Sequence, residues 1–151
     1  MPTIAQLITG RPLITLPSTA STMQAARTMM ENRVGAILVV DDGKPVGMFT
    51  ERDLMTRVVV PGLDIEATKI DAVMSRDLFM ARATDKVGSI RKELQQRHIR
   101  HLPVLEGEKV VAMLSLRDLL YADLQEIQVE IEALTEYVQG GAEELPKGLE
   151  D

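Results

Sequence analysis

Apolar positions 23, 25–26 and 29–30 recur at helical spacing across Thr22–Arg33, which predicts an amphipathic helix. Ala36–Val40 follows as a run rich in β-branched residues, closed by Asp41-Asp42-Gly43, a strong hairpin-turn signal. Val46–Phe49 reads as the returning strand. Thr50 then resembles an N-cap that opens a helix through about Val59, and Leu13–Leu16 reads as a short leading strand. The same order returns downstream as strand Leu78–Ala81, helix Lys86–Arg97, strand His101–Leu105, turn Glu106-Gly107-Glu108, strand Val110–Leu114 and a helix from Ser115. Residues 60–75, with Pro61-Gly62, read as a link that includes a short helix at Ile70–Met74.

Shifting the sequence by 65 residues lays 16–55 on 81–120 without a gap, with eight identities in 40 pairs. Thr19 falls on Thr84, Val39 on Val104, Met48 on Met113, and Arg52-Asp53-Leu54 on Arg117-Asp118-Leu119. Two copies of a period this long imply two modules of one fold rather than a solenoid. A unit of about 60 residues buries too little surface to be robust alone, so the copies are expected to pack face to face. The chain divides on this reading into module one (3–60), a link (61–75), module two (76–120), an amphipathic helix (119–139) and a loose tail (140–151).

The final helix outruns its counterpart. No Pro or Gly interrupts Leu119–Val138, and Leu120, Leu124, Ile127, Ile131, Leu134 and Val138 are spaced 4, 3, 4, 3, 4, a heptad pattern. Gln125, Glu126, Gln128, Glu130, Glu132 and Glu136 fill the polar face, and Gly140-Gly141 is expected to end the helix. The stripe either folds back on its own module, pairs with a second copy, or docks a different protein. Module one closes without such an extension, which favours a homodimer through the modules and the helix.

Composition narrows the function classes. The 151 residues are 45% hydrophobic, the size of one ordinary domain or two small ones sharing a core. Cysteine is absent, which excludes disulfides, thiolate metal sites and thiol nucleophiles. The longest apolar stretch, Val34–Val40, is far short of the roughly 18 residues of a membrane span. The N-terminus lacks the charged start and apolar core of a secretory signal, so the expected location is cytoplasmic. Two Phe, two Tyr and no Trp make a poor stacking platform for single-stranded nucleic acid. The net charge of −6 sits in residues 121–151, with nine acidic side chains and one basic; the first 120 residues hold 16 basic and 14 acidic. The body suits an anionic small molecule, and neither nucleic acid nor membrane is an expected partner.

The most informative element is the strand-to-helix junction, Thr50-Glu51-Arg52-Asp53 in copy one and Ser115-Leu116-Arg117-Asp118 in copy two. Taken singly, hydroxyl-x-x-acid is a helix-capping arrangement. Its duplication with Asp, each time after Arg, points further. A carboxylate accepts hydrogen bonds, ribose hydroxyls donate them, and a helix N-terminus offers N–H groups to an anion.

Together with the Arg100-His101-Leu102-Pro103-Val104 strand, the doubled motif resembles the paired CBS domains, or Bateman module, of standalone bacterial and archaeal type, over roughly residues 3–120. The family is named after cystathionine β-synthase and includes domains of IMP dehydrogenase and of the AMP-activated protein kinase gamma subunit. The resemblance implies an α/β (α+β) fold of two β-α-β-β-α modules in pseudo-twofold symmetry, here with a long C-terminal helix. It implies two clefts for adenosine compounds, AMP foremost, with ADP, ATP, NAD and S-adenosylmethionine as alternatives, and no required cofactor. By the family's pattern Asp53 and Asp118 hold ribose, Thr50 and Ser115 lie near sugar and phosphate, Thr19 and Thr84 contact base or sugar, and Arg100 and His101 contact phosphate. Copy one has Gly35 and Ala36 in place of Arg100 and His101, which favours the Asp118 cleft for phosphate unless basic groups cross between modules.

Other chemistries fare worse. His98 and His101 are three apart, but they straddle a helix end and a strand start and have no evident third metal ligand. Ser115, His101 and Asp118 lack a nucleophile elbow, and Asp118 follows Ser115 on the same helix instead of orienting the histidine. No enzyme is expected. Arg52 and Arg117 either pair with nearby acids or stand at the cleft mouths. The expected role is an adenine-nucleotide sensor that signals by conformation to an effector protein; the alternative is a dimeric scaffold with vestigial clefts, acting through its C-terminal helix.

Overall fold

The computed structural model describes residues 2–8, 10 and 12–140. Two three-stranded sheets are built alike. In the first, β1 (Thr15–Leu16) runs parallel to β2 (Ala36–Asp41), which pairs antiparallel with β3 (Lys44–Thr50). In the second, β4 (Ala81–Arg82), β5 (His101–Glu106) and β6 (Lys109–Ser115) do the same. The 65-residue offset extends to the register. Ala36 opposes Thr50 as His101 opposes Ser115, and the ladder slips by one residue after Val39 and again after Val104.

The helices are α1 (Thr22–Asn32), α2 (Glu51–Asp53), α3 (Ile70–Val73), α4 (Val87–Arg97) and α5 (Leu116–Gly140). Ser21 caps α1, its Oγ accepting from the Gln24 N–H at 3.0 Å. Both α1 and α4 stop at a left-handed residue, Arg33 (φ 54°) and His98 (φ 55°). The first hairpin turns through Asp42 and Gly43, both at positive φ, as a type I′ turn requires.

Three elements depart from expectation. The strand predicted at Leu78–Ala81 is Ala81–Arg82, because only these two residues pair with β5. The helix predicted through Val59 widens after α2 into a π-helical stretch over Leu54–Val59, where the β-branched run Val58-Val59-Val60 favours α-helix weakly. A 3-10 turn, Ile4–Leu7, was not predicted at all. Gly140 lies inside α5, and the expected tail, 141–151, falls outside the described residues.

Each module has its own core, and each core takes a piece from elsewhere in the chain. Ile4 is fully buried among Val87, Leu94, Leu102, Val104 and Leu119 of the second module. Backbone bonds hold it there: Ile4 N–H to Asp85 O (2.8 Å), Ala5 N–H to Ala83 O (2.8 Å) and Val87 N–H to Pro2 O (3.0 Å). In the same way α3 places Ile70 in the first core, with Ile37, Val39, Phe49 and Val58. Its bonds match: Ile70 N–H to Ala20 O (2.9 Å), Asp71 N–H to Ser18 O (3.1 Å) and Thr22 N–H to Thr68 O (2.9 Å). The segments that open the two copies are therefore equivalent in packing, and the first one sits in the core of module two.

Only Leu119 and Ala122 of α5 are buried. The helix lies along α4, where Arg91 and Asp123 form an ion pair, and then runs past the body.

Candidate functional site

The doubled motif folds as a reciprocal cap in both modules. At the end of β3, Thr50 N–H donates to Asp53 Oδ2 (3.0 Å) and Asp53 N–H donates to Thr50 Oγ1 (3.1 Å). At the end of β6, Ser115 N–H donates to Asp118 Oδ2 (2.8 Å) and Asp118 N–H to Ser115 Oγ (3.2 Å). The capping reading is thus correct, and it has a chemical use: it fixes the direction of an acceptor-only carboxylate. Asp53 is 8% exposed, with Oδ1 3.8 Å from Arg57 Nε. One further bond ties each junction to the residue just before the neighbouring strand, Glu51 N–H to Gly35 O (3.0 Å) and Leu116 N–H to Arg100 O (2.8 Å).

Each junction opens on a cleft whose far wall belongs to the other module. The cleft of Thr50 and Asp53, about 260 Å³, is completed by Asp77, Phe79, His98 and Arg100. The cleft of Ser115 and Asp118, about 430 Å³, is completed by Pro12, Ile14, Arg33 and Ala36. The far walls correspond at the same offset of 65: Pro12 to Asp77, Ile14 to Phe79, Arg33 to His98 and Ala36 to His101. Gly35 and His101 line both clefts. A Cβ at Gly35 would lie 3.2 Å from His101 Nε2, so the bare backbone there admits the imidazole between the clefts.

This pseudo-twofold pair of composite clefts is the arrangement that the family resemblance implied, and comparison with known proteins shows the family. A family model of the CBS domain matches residues 4–60 and 70–125. The chain belongs to the CBS-domain family. The two matched spans begin at Ile4 and Ile70, the residues that enter the two cores by equivalent bonds. CBS domain-containing protein CBSX3, mitochondrial, of Arabidopsis thaliana is 30% identical over 122 residues, which is 78% of this chain and 59% of that protein. The chain spans 59% of the length of that relative and as little as 20% of other plant CBS proteins it matches. A CBS-domain containing protein from Agrobacterium tumefaciens superposes with a TM-score of 0.76 at 26% identity, over 81% of this chain and 99% of its own. A CBS domain protein from Pyrobaculum aerophilum, solved in complex with AMP, superposes with a TM-score of 0.74 at 27% identity, over 85% and 99%. The matching family model describes a domain and names no catalytic activity.

Within this CBS pair the expected site residues divide. Asp53, Thr50, Asp118, Ser115 and His101 line the clefts. Arg100 does too, but it faces Asp53, not Asp118. Basic groups do cross between modules, so Arg100 gives no ground for placing phosphate at Asp118. Thr19 and Thr84 are exposed and line neither cleft. They precede α1 and α4 near the hairpin ends of the sheets, where Ser18 N–H donates to Asp41 Oδ1 (2.9 Å), and β2 separates that end from Thr50. Arg33, His98, Ile14, Phe79 and Asp77 were missed as site residues. The usable signal was the repeat itself, since each pairs with its counterpart across 65 residues. Arg52 and Arg117 stand in the cleft walls.

Burial lowers the pKa of His101 below the ordinary histidine value, and Arg100 adds to the effect, while Glu51, Asp118 and Asp53 oppose it. The imidazole is held neutral in the fold more than in the unfolded chain. Its contribution to stability is therefore complete above the unfolded value of 6.5 and is lost as pH falls through the lower folded value. Denaturation midpoints followed from pH 8 to pH 5 should decline below pH 6.5, and His101→Gln should remove part of that decline. An equal slope in both proteins would assign it to other groups.

Proposed function

We propose that this CBS pair is a regulatory module whose clefts bind adenosine-containing ligands, AMP foremost, with ADP, ATP or NAD as the alternatives. The observation that carries this is the duplicated cap, which presents an oriented carboxylate, buried at Asp53 and half-buried at Asp118, beside a helix N-terminus in each of two composite clefts. Ribose hydroxyls donate to the carboxylate, and the helix start with a nearby arginine receives phosphate. The AMP complex of the Pyrobaculum relative supports the ligand class.

The clefts differ in charge. Arg52 and Arg100 face three acids, Glu51, Asp53 and Asp77, in the first, whereas Arg33 and Arg117 face Asp118 alone in the second. The larger, net-cationic Asp118 cleft is the better phosphate site. Because each cleft spans two modules, a ligand that prefers one relative orientation shifts the pair toward it, and an effector protein reads the change. The role is regulatory rather than catalytic, and the location we infer is cytoplasmic. No helix among the described residues is long and apolar enough to cross a membrane. Self-association through the modules and α5 is part of the reading, supported by the exposed apolar stripe. That stripe also favours a second reading, a scaffold with vestigial clefts.

A thermal-shift panel of AMP, ADP, ATP, NAD, S-adenosylmethionine and GMP separates the two. A ligand at about 100 times its Kd adds about 2.7 kcal/mol, which raises Tm by roughly 5–10 °C for a domain of this size. Asp118→Asn keeps an oxygen for the Ser115 N–H while losing an acceptor for ribose, so it should cancel most of the AMP shift without lowering the ligand-free Tm. Full AMP shifts in the Asp53→Asn, Asp118→Asn double variant would overturn the site. A flat panel, with no nucleotide released on denaturation, would favour the scaffold.

A further inference from the structure

We propose that α5 is the seam of a parallel, in-register two-stranded coiled coil between two copies of this chain, which rests on the self-association reading above. All six seam residues, Leu120, Leu124, Ile127, Ile131, Leu134 and Val138, are between 39% and 72% exposed. Nothing in the described body covers them, and the core of module two is closed by Leu119 and Ala122 on the opposite face. An apolar stripe of nearly three heptads, about 27 Å long between its end residues, calls for a partner with the same period.

The composition of the flanks chooses the partner and its direction. With Leu124, Ile131 and Val138 at position a and Leu120, Ile127 and Leu134 at d, the g positions are Asp123, Glu130 and Tyr137, and the e positions are Tyr121, Gln128 and Thr135. In a parallel pair g meets e of the other copy, so Asp123 meets Gln128 and Glu130 meets Thr135, with no like charges opposed. An antiparallel pair centred on the stripe brings Glu130 of the two copies together. Asp123, the acid nearest the body, is already ion-paired with Arg91. β-Branched residues at two of three a positions, with Leu at two of three d positions, favour two parallel strands.

The seam begins beside the ligand cleft. A surface hollow of about 350 Å³ is lined by Arg117, Asp118, Leu120, Tyr121 and Leu124, so its wall is shared by the cleft carboxylate and the first two seam layers. A parallel partner places its own Leu120 against this hollow, whereas an antiparallel one brings Val138 there.

The absence of cysteine makes the test clean, because Leu134→Cys introduces the sole thiol. Light scattering of the full chain should give the dimer mass, and Ile127→Glu with Leu134→Glu should raise the protein concentration at which the dimer dissociates, with the AMP thermal shift retained. Mild oxidation of Leu134→Cys should link nearly all chains in pairs, while Glu136→Cys, on the outer face, should link few. A monomeric wild type overturns self-association itself. A dimer whose dissociation the paired Glu substitutions leave unchanged overturns the seam, and a dimer in which Leu134→Cys stays unlinked overturns the parallel register. None of these outcomes alters the nucleotide panel, so the failure of one proposal is separable from the failure of the other.

Discussion

Ile4→Ala destabilises the second module, not the first, by about 2–5 kcal/mol. Ile4 is fully buried against Val87, Leu94, Leu102 and Leu119, and the main-chain bonds of Ile4 and Ala5 keep the neighbouring backbone from collapsing into the space left behind. The substitution therefore leaves a cavity in a core more than 75 residues away in sequence. Hydrogen exchange reads the location directly. Amides of Leu102, Val104 and Leu114 should lose protection before those of Ile37, Val39 and Phe49. The reverse order would mean that Ile4 supports module one after all. Ile70→Ala should produce the mirror pattern, since α3 holds the same place in the first core.

Gly47→Val costs about 3 kcal/mol, at the upper end of what overpacking usually does. A Cβ at Gly47 would stand 2.5 Å from Met74 Sδ and 2.9 Å from the backbone oxygen of Ser75. The methionine can move, but Ser75 is fixed by a pair of bonds to Met48, N–H to O at 2.8 Å and 2.9 Å. Those bonds bring Ser75 and Met48 into the wall of the Asp53 cleft. The expected result is a lower denaturant midpoint with ligand affinity lost at the Asp53 cleft and kept at the Asp118 cleft. Met74→Ala should restore only part of the stability, because the clash with the backbone oxygen remains. Full rescue would show that the sulfur alone was the obstacle. Ala112, at the equivalent position of module two, already carries a Cβ, so the constraint belongs to one module and not to the fold.

Where the physics is local, the sequence carried it. The offset of 65 anticipates the equivalence of the two sheets down to their bulges, because strand register depends on alternation and turn residues close in sequence. The two reciprocal caps were legible for the same reason: donor, acceptor and helix start lie within four residues. The exposed heptad stripe was legible because it is a property of one helix. What depends on how two modules meet was not. Arg100 follows its own module's helix α4 in sequence, yet it serves the other module's carboxylate, and no periodicity reports that exchange. Thr19 and Thr84 stand out as an identity in the repeat, but identity marked a shared loop and not a shared cleft. Ile4 carries a faint signal, since Ile4-Ala5-Gln6-Leu7 echoes Ile70-Asp71-Ala72-Val73; the echo runs at an offset of 66, one residue out of phase with the rest.

The placement of Ile4 also sets an order of events during synthesis. Ile4 leaves the ribosome before every residue it packs against, and its pocket is complete only when Leu119 and Ala122 have emerged. The first core can close once Met74 is out, without waiting for the second half. The stretch from Pro2 to Leu7 must stay unsatisfied throughout that interval, then cross the finished first module to complete the other. At roughly 5–20 residues per second, the remaining 48 residues from Met74 to Ala122 take a few seconds to make. Over that time an apolar segment whose backbone donors lack their final partners is open to capture by other chains.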